Sequence, residues 1–396
     1  MKKPLSGILV IDLTRVLAGP FCTMILSDLG AEIIKIELPG TGDDSRGFGP
    51  FMNNRSLYFL SINRGKKSVS LNLKTQKGKD ILKRLVSRAD VLVENYRPGT
   101  MEKLGLGYNT LKEINPRLIY ASSSGFGYTG TYSQRPSYDI LAQAMGGIMS
   151  ITGWPNSAPT RVGMSLGDIT ASLYTAIGIN AALYQREKTG EGQMIDVAML
   201  DCQVSILENA LVRYQAEQAN PEPLGNRHPT ITPFQAYKTS DEYFVVAVGN
   251  EALWKTFCQA IELPALMEDP LFATNKLRCQ NINKLNQILE PIFIGNTASH
   301  WLKLLEDSKI PSAPINNIEA VLNDSQVLQR NMIVEVEDPI AGKVKIAGNP
   351  IKMSTLPESE TRDRPPDIGE HNYEVLSQLL GMSEQEVSAL KQEGVL

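Results

Sequence analysis

The chain is 396 residues long, with 42% apolar residues, 21% charged residues and a formal net charge of −4. That length predicts two or three domains with cores large enough to need no staples, and the charge gives no support to a nucleic-acid or anionic-membrane partner. Three histidines (His228, His300, His371) and four scattered cysteines (Cys22, Cys202, Cys258, Cys279) form no CxxC or HExxH motif, so no metal site is expected and carboxylates, hydroxyls and backbone groups are left as the chemical groups. Four unpaired thiols fit a reducing compartment. In the opening MKKPLSGILVIDLTRVLAGPFC, Asp12 and Arg15 break the apolar run before it reaches signal-peptide length. No run approaches the roughly 18 apolar residues of a membrane span. A cytoplasmic location is expected.

The first 125 residues alternate strand-like and helix-like segments. GILVIDL (7–13), EIIKIEL (32–38), KSVSLNL (67–73), DVLVEN (90–95) and RLIYASSS (117–124) read as strands. PFCTMILSDLG (20–30) and KGKDILKRLVSRA (77–89) carry helical spacing, the first with Pro20 at its start and Gly30 at its end. This alternation predicts an α/β fold on an open parallel sheet. Helices are expected over 137–150 and 168–188, then through about 218. The segment 219–233, rich in Pro and Asn, reads as a linker or active-site loop. A hairpin (234–249) and helices to about 308 suggest a smaller α+β domain. A second hairpin (333–348) and an S-x-x-E capping box at Ser383 and Glu386 complete the chain. The expected organisation is a large α/β domain over 1–218, a linker over 219–233, a small domain over 234–325 and a return to the large domain over 326–396.

Four features stand out. GFGYTG (125–130) matches G-x-G-x-x-G, but TYSQRPS follows it instead of a helix, so NAD binding is not expected. Asp168, just after Gly167 and before a periodic apolar run, is accounted for by helix capping alone. The same position also suits a nucleophile, with helix-end N–H groups keeping the carboxylate ionised at neutral pH and Gly167 admitting a bulky substrate. Arg64, Lys66, Lys67, Lys74, Arg97 and Lys103 lie at or near strand ends. Most such residues form solvated surface, yet ligands of open α/β sheets bind outside the strands' carboxyl ends, where Lys74 and Arg97 fall. Cations there suit a small phosphate-bearing cofactor. Asn226, Arg227 and His228 lie in a loop that is either plain surface or an anion clamp.

GILVIDLTRVLAGPF, GAEIIKIELPGTGDDSR, NRGKKSVSLNLKT, DVLVENYRPGTMEKLG, INPRLIYASSSGFG, SYDILAQAMGG, LGDITA, REKTGEGQMIDVAMLD, IPSAPINNIEAVLND and GEHNYEVL, spread over nearly the whole chain, resemble the class III CoA-transferases of the CaiB/BaiF type. The resemblance implies a Rossmann-like large domain with a smaller one, two such monomers interlocked as a homodimer, and coenzyme A carried as an acyl-CoA substrate. It implies that Asp168 attacks the donor acyl-CoA to give an aspartyl anhydride and then an aspartyl-CoA thioester, from which CoA passes to a small carboxylate. Val16 and Leu17 would border the thioester, with Tyr138 and Asp139 near the acyl group. Leu71, Lys74, Asn95, Tyr96, Arg97 and Lys103 would contact CoA, and Asn226, Arg227 and His228 the acceptor. Leu38 and Leu17 stand where some oxalate-specific members have Arg and Gln, and the short LGNRHP segment replaces their glycine-rich lid. The donor is therefore open among acetyl-, formyl- and succinyl-CoA, and the acceptor among oxalate, succinate, glutarate and similar acids. The α-methylacyl-CoA racemases share this fold and are the alternative, but Tyr138 stands where their relay has a histidine.

Overall fold

In a computed structural model, residues 3–356 and 359–396 are described, and their contacts divide the chain into two units. The first comprises Met1–Met149, Arg161–Gln218 and Ser325–Leu396, the second Ser150–Thr160 and Ala219–Asp324.

The first unit is built on six strands: β1 (Leu9–Asp12), β2 (Glu32–Glu37), β3 (Lys67–Ser70), β4 (Val91–Glu94), β5 (Ile119–Ser124) and β6 (Met194–Ala198). They lie in the order β3-β2-β1-β4-β5-β6, and every neighbouring pair is parallel. A parallel sheet needs both faces covered, and in β1 to β5 every residue but Glu32 and Lys67 is buried, polar ones included. The period of two sends successive residues to opposite faces. Leu9, Ile11, Ile34, Ile36 and Leu92 accordingly share one core cluster, while Val10, Ile33, Val91, Val93, Ile119 and Ala121 share another. The helix Gln76–Val86 supplies Ile81, Leu82, Leu85 and Val86 to the first cluster, started by Thr75, whose hydroxyl accepts from Gly78 N at 3.0 Å. The C-terminal helices Asn372–Leu380 and Glu384–Gln392 return to the same face through Val375, Leu376, Val387 and Leu390. Ser383 and Glu386 form the capping box expected there. The opposite face is covered by α1 (Ala18–Asp28), through Cys22 and Leu26, and by a 24-residue helix (Leu166–Thr189), through Ala176, Ile179 and Leu183.

Beyond Thr189 the sequence pattern predicted continuous helix to about 218, whereas the chain forms strand β6 there. Gly190 ends the helix in the left-handed conformation (φ 77°), its N–H bonded to Arg186 O at 2.8 Å. Gly192 then passes so close to the neighbouring chain that a Cβ would lie 2.1 Å from Leu118 O. The five-residue strand carries Asp196, which accepts from Tyr128 N at 2.9 Å and interrupts the apolar pattern that would have marked it. Two shorter helices follow, Met199–Ser205 and Ala210–Glu217.

The second unit holds a three-stranded antiparallel sheet of Phe234–Lys238, Tyr243–Ala247 and Ser312–Pro314. Its core gathers Phe244, Trp254, Phe257, Phe293 and Trp301. The fully buried Arg278 pairs with Glu251 at 2.9 Å and lies 4.6 Å from the Trp254 ring centroid. Segment 150–160, read from sequence with the large domain, belongs to this unit, as does 219–233: Gly225 N donates to Gly153 O at 2.8 Å. Among the described residues no helix is long and apolar enough to cross a membrane.

A candidate active site at the carboxyl edge of the sheet

β1 and β4 are neighbours from which the strand order runs outward in opposite directions, and such a reversal leaves a crevice outside the strands' carboxyl ends. A cavity of about 500 Å³ opens at this edge, lined by Arg15 after β1, Leu38 after β2, Leu71 and Lys74 after β3, Tyr96 after β4, and Lys103. Two carboxylates in its wall are already neutralised. Glu37 pairs with Arg46 at 2.6 Å, and Asp43 with the buried Lys35 at 2.8 Å. Asp44 is exposed and pairs with Arg15 at 3.0 Å. Lys74 and Lys103 remain beside apolar Leu38 and Leu71, so the cavity suits an elongated anion with a ring or apolar portion.

The other sequence candidates separate from this group. Arg97 is exposed and off the cavity wall. Asn95 spends its amide on the backbone of Arg15, accepting from its N–H at 2.9 Å and donating to its carbonyl at 2.8 Å. Arg64 is buried against Asp28, Lys66 against Asp12, and Lys67 bridges Glu32 and Glu374. Arg15 was not singled out as a binding residue, because nothing in its spacing marks it.

Asp168 lies in the first turn of the Leu166–Thr189 helix, not at its cap. The cap residue is Ser165, whose side chain makes no capping bond. The free N–H of Gly167 is met instead from another helix (Asp139–Met145), where Asp139 Oδ1 accepts it at 2.7 Å. The second Asp139 oxygen accepts from Gln143 Nε2 at 2.7 Å and faces Arg161 at 3.6 Å. A Cβ at Gly167 would lie 3.0 Å from Asp139 Oδ1, so the glycine permits this approach. Burial, reinforced by the Asp139 charge, raises the Asp168 carboxyl to about 7. The expectation that the helix end alone keeps Asp168 ionised at neutral pH is thereby corrected: desolvation and a like charge outweigh the dipole.

Tyr58, on the helix Leu57–Asn63, belongs to the same neighbourhood. Burial and the charges of Asp168, Asp43 and Asp139 push its phenol up to about 12. No sequence signal marked Tyr58, since its partners come from three distant segments. Between β1 and α1, Val16 adopts φ 66°, a left-handed conformation that costs a β-branched residue about 1–3 kcal/mol. Leu17 is buried at the start of α1. Ser172 Oγ lies 2.6 Å from both Ala18 O and Asp168 O, which ties this start to the turn carrying Asp168. Tyr138 precedes Asp139 with 77% of its surface exposed.

Asn226, Arg227 and His228 lie in the second unit. Asn226 Oδ1 accepts from Ala236 N at 3.3 Å, and its residue lines a groove with Trp154, Tyr243, Ile315 and Asn317. His228 Nδ1 accepts from Thr230 N at 3.2 Å. The GFGYTG run opens no helix, the next one starting at Asp139. Among the described residues no three His, Cys, Asp or Glu side chains are grouped as a metal site.

The profile of CoA-transferase family III matches residues 5–372. The chain is 43% identical over 395 residues to the succinyl-CoA:glutarate CoA-transferase of Homo sapiens, covering 100% of this chain and 90% of that protein. It is 45% identical over 370 residues to the acetyl-CoA:oxalate CoA-transferase of Acetobacter aceti, covering 93% and 94%. The crystal structure of a CaiB/BaiF family protein from Brucella suis superposes with a TM-score of 0.84 at 38% identity, covering 96% of this chain and 100% of that one. Sequence and fold therefore agree with the crevice chemistry, and the chain belongs to CoA-transferase family III.

Proposed function

We propose that this CoA-transferase moves CoA from an acyl-CoA donor to a small dicarboxylate through covalent intermediates on Asp168. The observation that carries the reading is a half-buried carboxylate with a raised pKa, in a helix turn tied to the buried start of α1. Removal of water raises the basicity of a carboxylate and strengthens it as a nucleophile. Asp168 attacks the acyl carbon, the C–S bond breaks, and CoA leaves as a thiolate. The thiolate then attacks the aspartyl carbonyl of the anhydride, releasing the donor acid and leaving an aspartyl-CoA thioester. The acceptor carboxylate attacks that thioester and frees the thiolate again. The thiolate finally takes the acceptor acyl group and returns Asp168 as carboxylate, with no net change in protons.

Leu71, Lys74, Tyr96 and Lys103 would hold CoA, joined by Arg15, whose cation sits in the same cavity wall. Val16 and Leu17 would border the thioester, with Tyr138 and Asp139 near the acyl group. The names of the relatives favour succinyl-CoA or acetyl-CoA as donor and glutarate or oxalate as acceptor, with Arg227 and its neighbours Asn226 and His228 as the acceptor clamp. No observation favours the racemase reading. It needs an imidazole beside Asp168, and the one described histidine of the first unit, His371, accepts from Ser68 N instead. A homodimer is supported by an apolar face that the first unit leaves exposed. Leu173, Ile177 and Tyr184 are exposed on the long helix, and Val204, Leu211 and Val212 on the two helices after β6. Exposed apolar side chains of this kind are what an interface covers.

Mass spectrometry of the enzyme quenched during turnover with succinyl-CoA and hydroxylamine should find the modification on Asp168. Asp168→Ala should abolish transfer while binding CoA as wild type does; turnover by that variant would sink the mechanism. Because the nucleophile must be ionised, kcat/KM should rise with pH through about 7, the value for Asp168 in the free enzyme. Asp139→Asn removes the like charge while keeping an acceptor for Gly167 N, so this acid limb should move to lower pH. An unmoved limb would show that Asp139 does not set it. A matrix of acyl-CoA donors against mono- and dicarboxylates should give the best turnover with a dicarboxylate acceptor. Arg227→Ala should raise the acceptor KM selectively, and an unchanged KM would remove Arg227 from the acceptor site. Sedimentation velocity should return twice the chain mass, and a monomer at micromolar concentration would refute the dimer.

A further inference from the structure

The three residues that leave β1 are held by side chains at every step. Asp12 Oδ1 accepts from Thr14 N at 2.9 Å, and Lys35 Nζ donates to Thr14 O at 2.7 Å. Asn95 takes both the N–H and the carbonyl of Arg15. Asp43 Oδ1 accepts from Val16 N at 3.1 Å. These partners come from β1, β2, the turn after β2 and the end of β4, so four segments converge on one short stretch of backbone. Asp12, Lys35 and Asp43 are buried, and the Lys66–Asp12 contact at 3.1 Å completes two ion pairs that leave the cluster neutral. At the centre is Val16 at φ 66°, a conformation that glycine would adopt freely and valine resists.

We propose that Asn95 and Asp43 are positioning residues for acyl transfer: together they hold the strained Val16 peptide so that the Val16–Leu17 backbone is fixed against the acyl carbon attacked by Asp168. The inference rests on the reading of Asp168 as nucleophile with this backbone bordering the thioester. Three observations carry it. Every backbone polar group of residues 14–15 and the N–H of Val16 has a side-chain partner, Asp43 Oδ1 being shared between Val16 N and the N–H and hydroxyl of Ser45. The strained residue lies two positions before Ala18, whose carbonyl shares Ser172 Oγ with Asp168 O. Asp43 also sits close enough to Tyr58 that its charge acts there together with those of Asp168 and Asp139. Among the described residues Val16 is the one β-branched residue with positive φ, so it is the costliest of them to hold there. A strained peptide held from several sides is preorganised, and misplacement of a reacting-site group by about 1 Å can cost on the order of 100-fold in rate.

The test compares wild type, Asn95→Ala, Val16→Gly and the double variant, with succinyl-CoA as donor and glutarate as acceptor. The rate of Asp168 adduct formation at saturating donor is read by rapid quench, beside steady-state kcat and KM. Asn95→Ala should lower the adduct rate by roughly 10- to 100-fold while the donor KM changes less than about 3-fold. Adding Val16→Gly should recover part of that loss, because glycine accepts the left-handed conformation without the clamp. Asn95→Asp, which keeps the acceptor for Arg15 N–H and loses the donor to its carbonyl, should fall between, and it serves if Asn95→Ala fails to fold. An Asn95→Ala enzyme that keeps its adduct rate overturns the proposal. So does one that loses only donor affinity, as a direct CoA contact would, and so does a double variant whose losses simply add. Wild type that forms no adduct on Asp168 would instead remove the reading of Asp168 as nucleophile, a result distinct from failure of the clamp.

Discussion

Two parallel neighbours in the middle of the sheet, β1 and β4, from which the strand order runs outward in opposite directions, leave a crevice at their carboxyl ends, and the arrangement of the site follows from how this chain fills it. Backbone groups that emerge there cannot pair with a next strand, so they need side-chain partners or a ligand. Asp12, Lys35, Asp43 and Asn95 satisfy the stretch after β1. Leu71, Lys74 and Tyr96, on the ends of β3 and β4, are left to line the cavity. One topological feature thus separates two tasks, with the inner side of the crevice closed by a buried polar cluster and the outer side open and cationic.

The raised pKa of Asp168 comes from a competition between two opposing fields. A first-turn position favours a charged carboxylate, and burial beside a second carboxylate opposes it. Asp139 takes part on both sides. By accepting from Gly167 N it occupies a donor that would otherwise face the helix start, and by its charge it raises Asp168. A carboxylate made scarce in this way near neutral pH is reactive when it is ionised. The position of Asp139 is fixed in turn by Gln143, which also accepts from Val162 N at 2.9 Å, so the pair is built into the packing of two helices and the segment before the second.

Much of this was legible in the residues. GILVIDL, DVLVEN and RLIYASSS carry short apolar runs, and the helix Gln76–Val86 carries a one-sided apolar period, because burial on both faces and on one face leaves different patterns. Asp168 behind Gly167 could be picked out from local sequence, and Lys74 and Lys103 from their place after strands. The rest depended on contacts across long separations. Asn95 meets Arg15 over 80 residues, so its type and spacing could not show that its amide is already spent. Arg64, Lys66 and Lys67 read as cations at strand ends, yet each is paired with a carboxylate of another segment. Strand β6 was hidden by its polar centre at Asp196, and Tyr58 by having no local motif at all. The segment 150–160 joined the second unit through a glycine contact that no composition shift announces.

The buried ion pairs raise a question of stability, since apolar residues of similar volume in such places are often as stable or more so. Lys66 shows the cost directly: burial pulls its amine down to about 8 despite the attraction of Asp12. Burial pushes against the charge of Lys35 as well, and there Asp12, Asp43 and Glu37 prevail and hold the amine above its ordinary value. Asp12, similarly, stays well below the ordinary carboxylate range because Lys66, Lys35 and two threonine hydroxyls outweigh its burial. An apolar core could match this cluster in stability, but it would offer no acceptor to Val16 N and no donor to Thr14 O. Directional bonds are what a strained backbone needs, and dispersion forces do not supply them. The desolvation cost of the cluster is therefore the consequence of holding a specific peptide geometry at the carboxyl edge of the sheet.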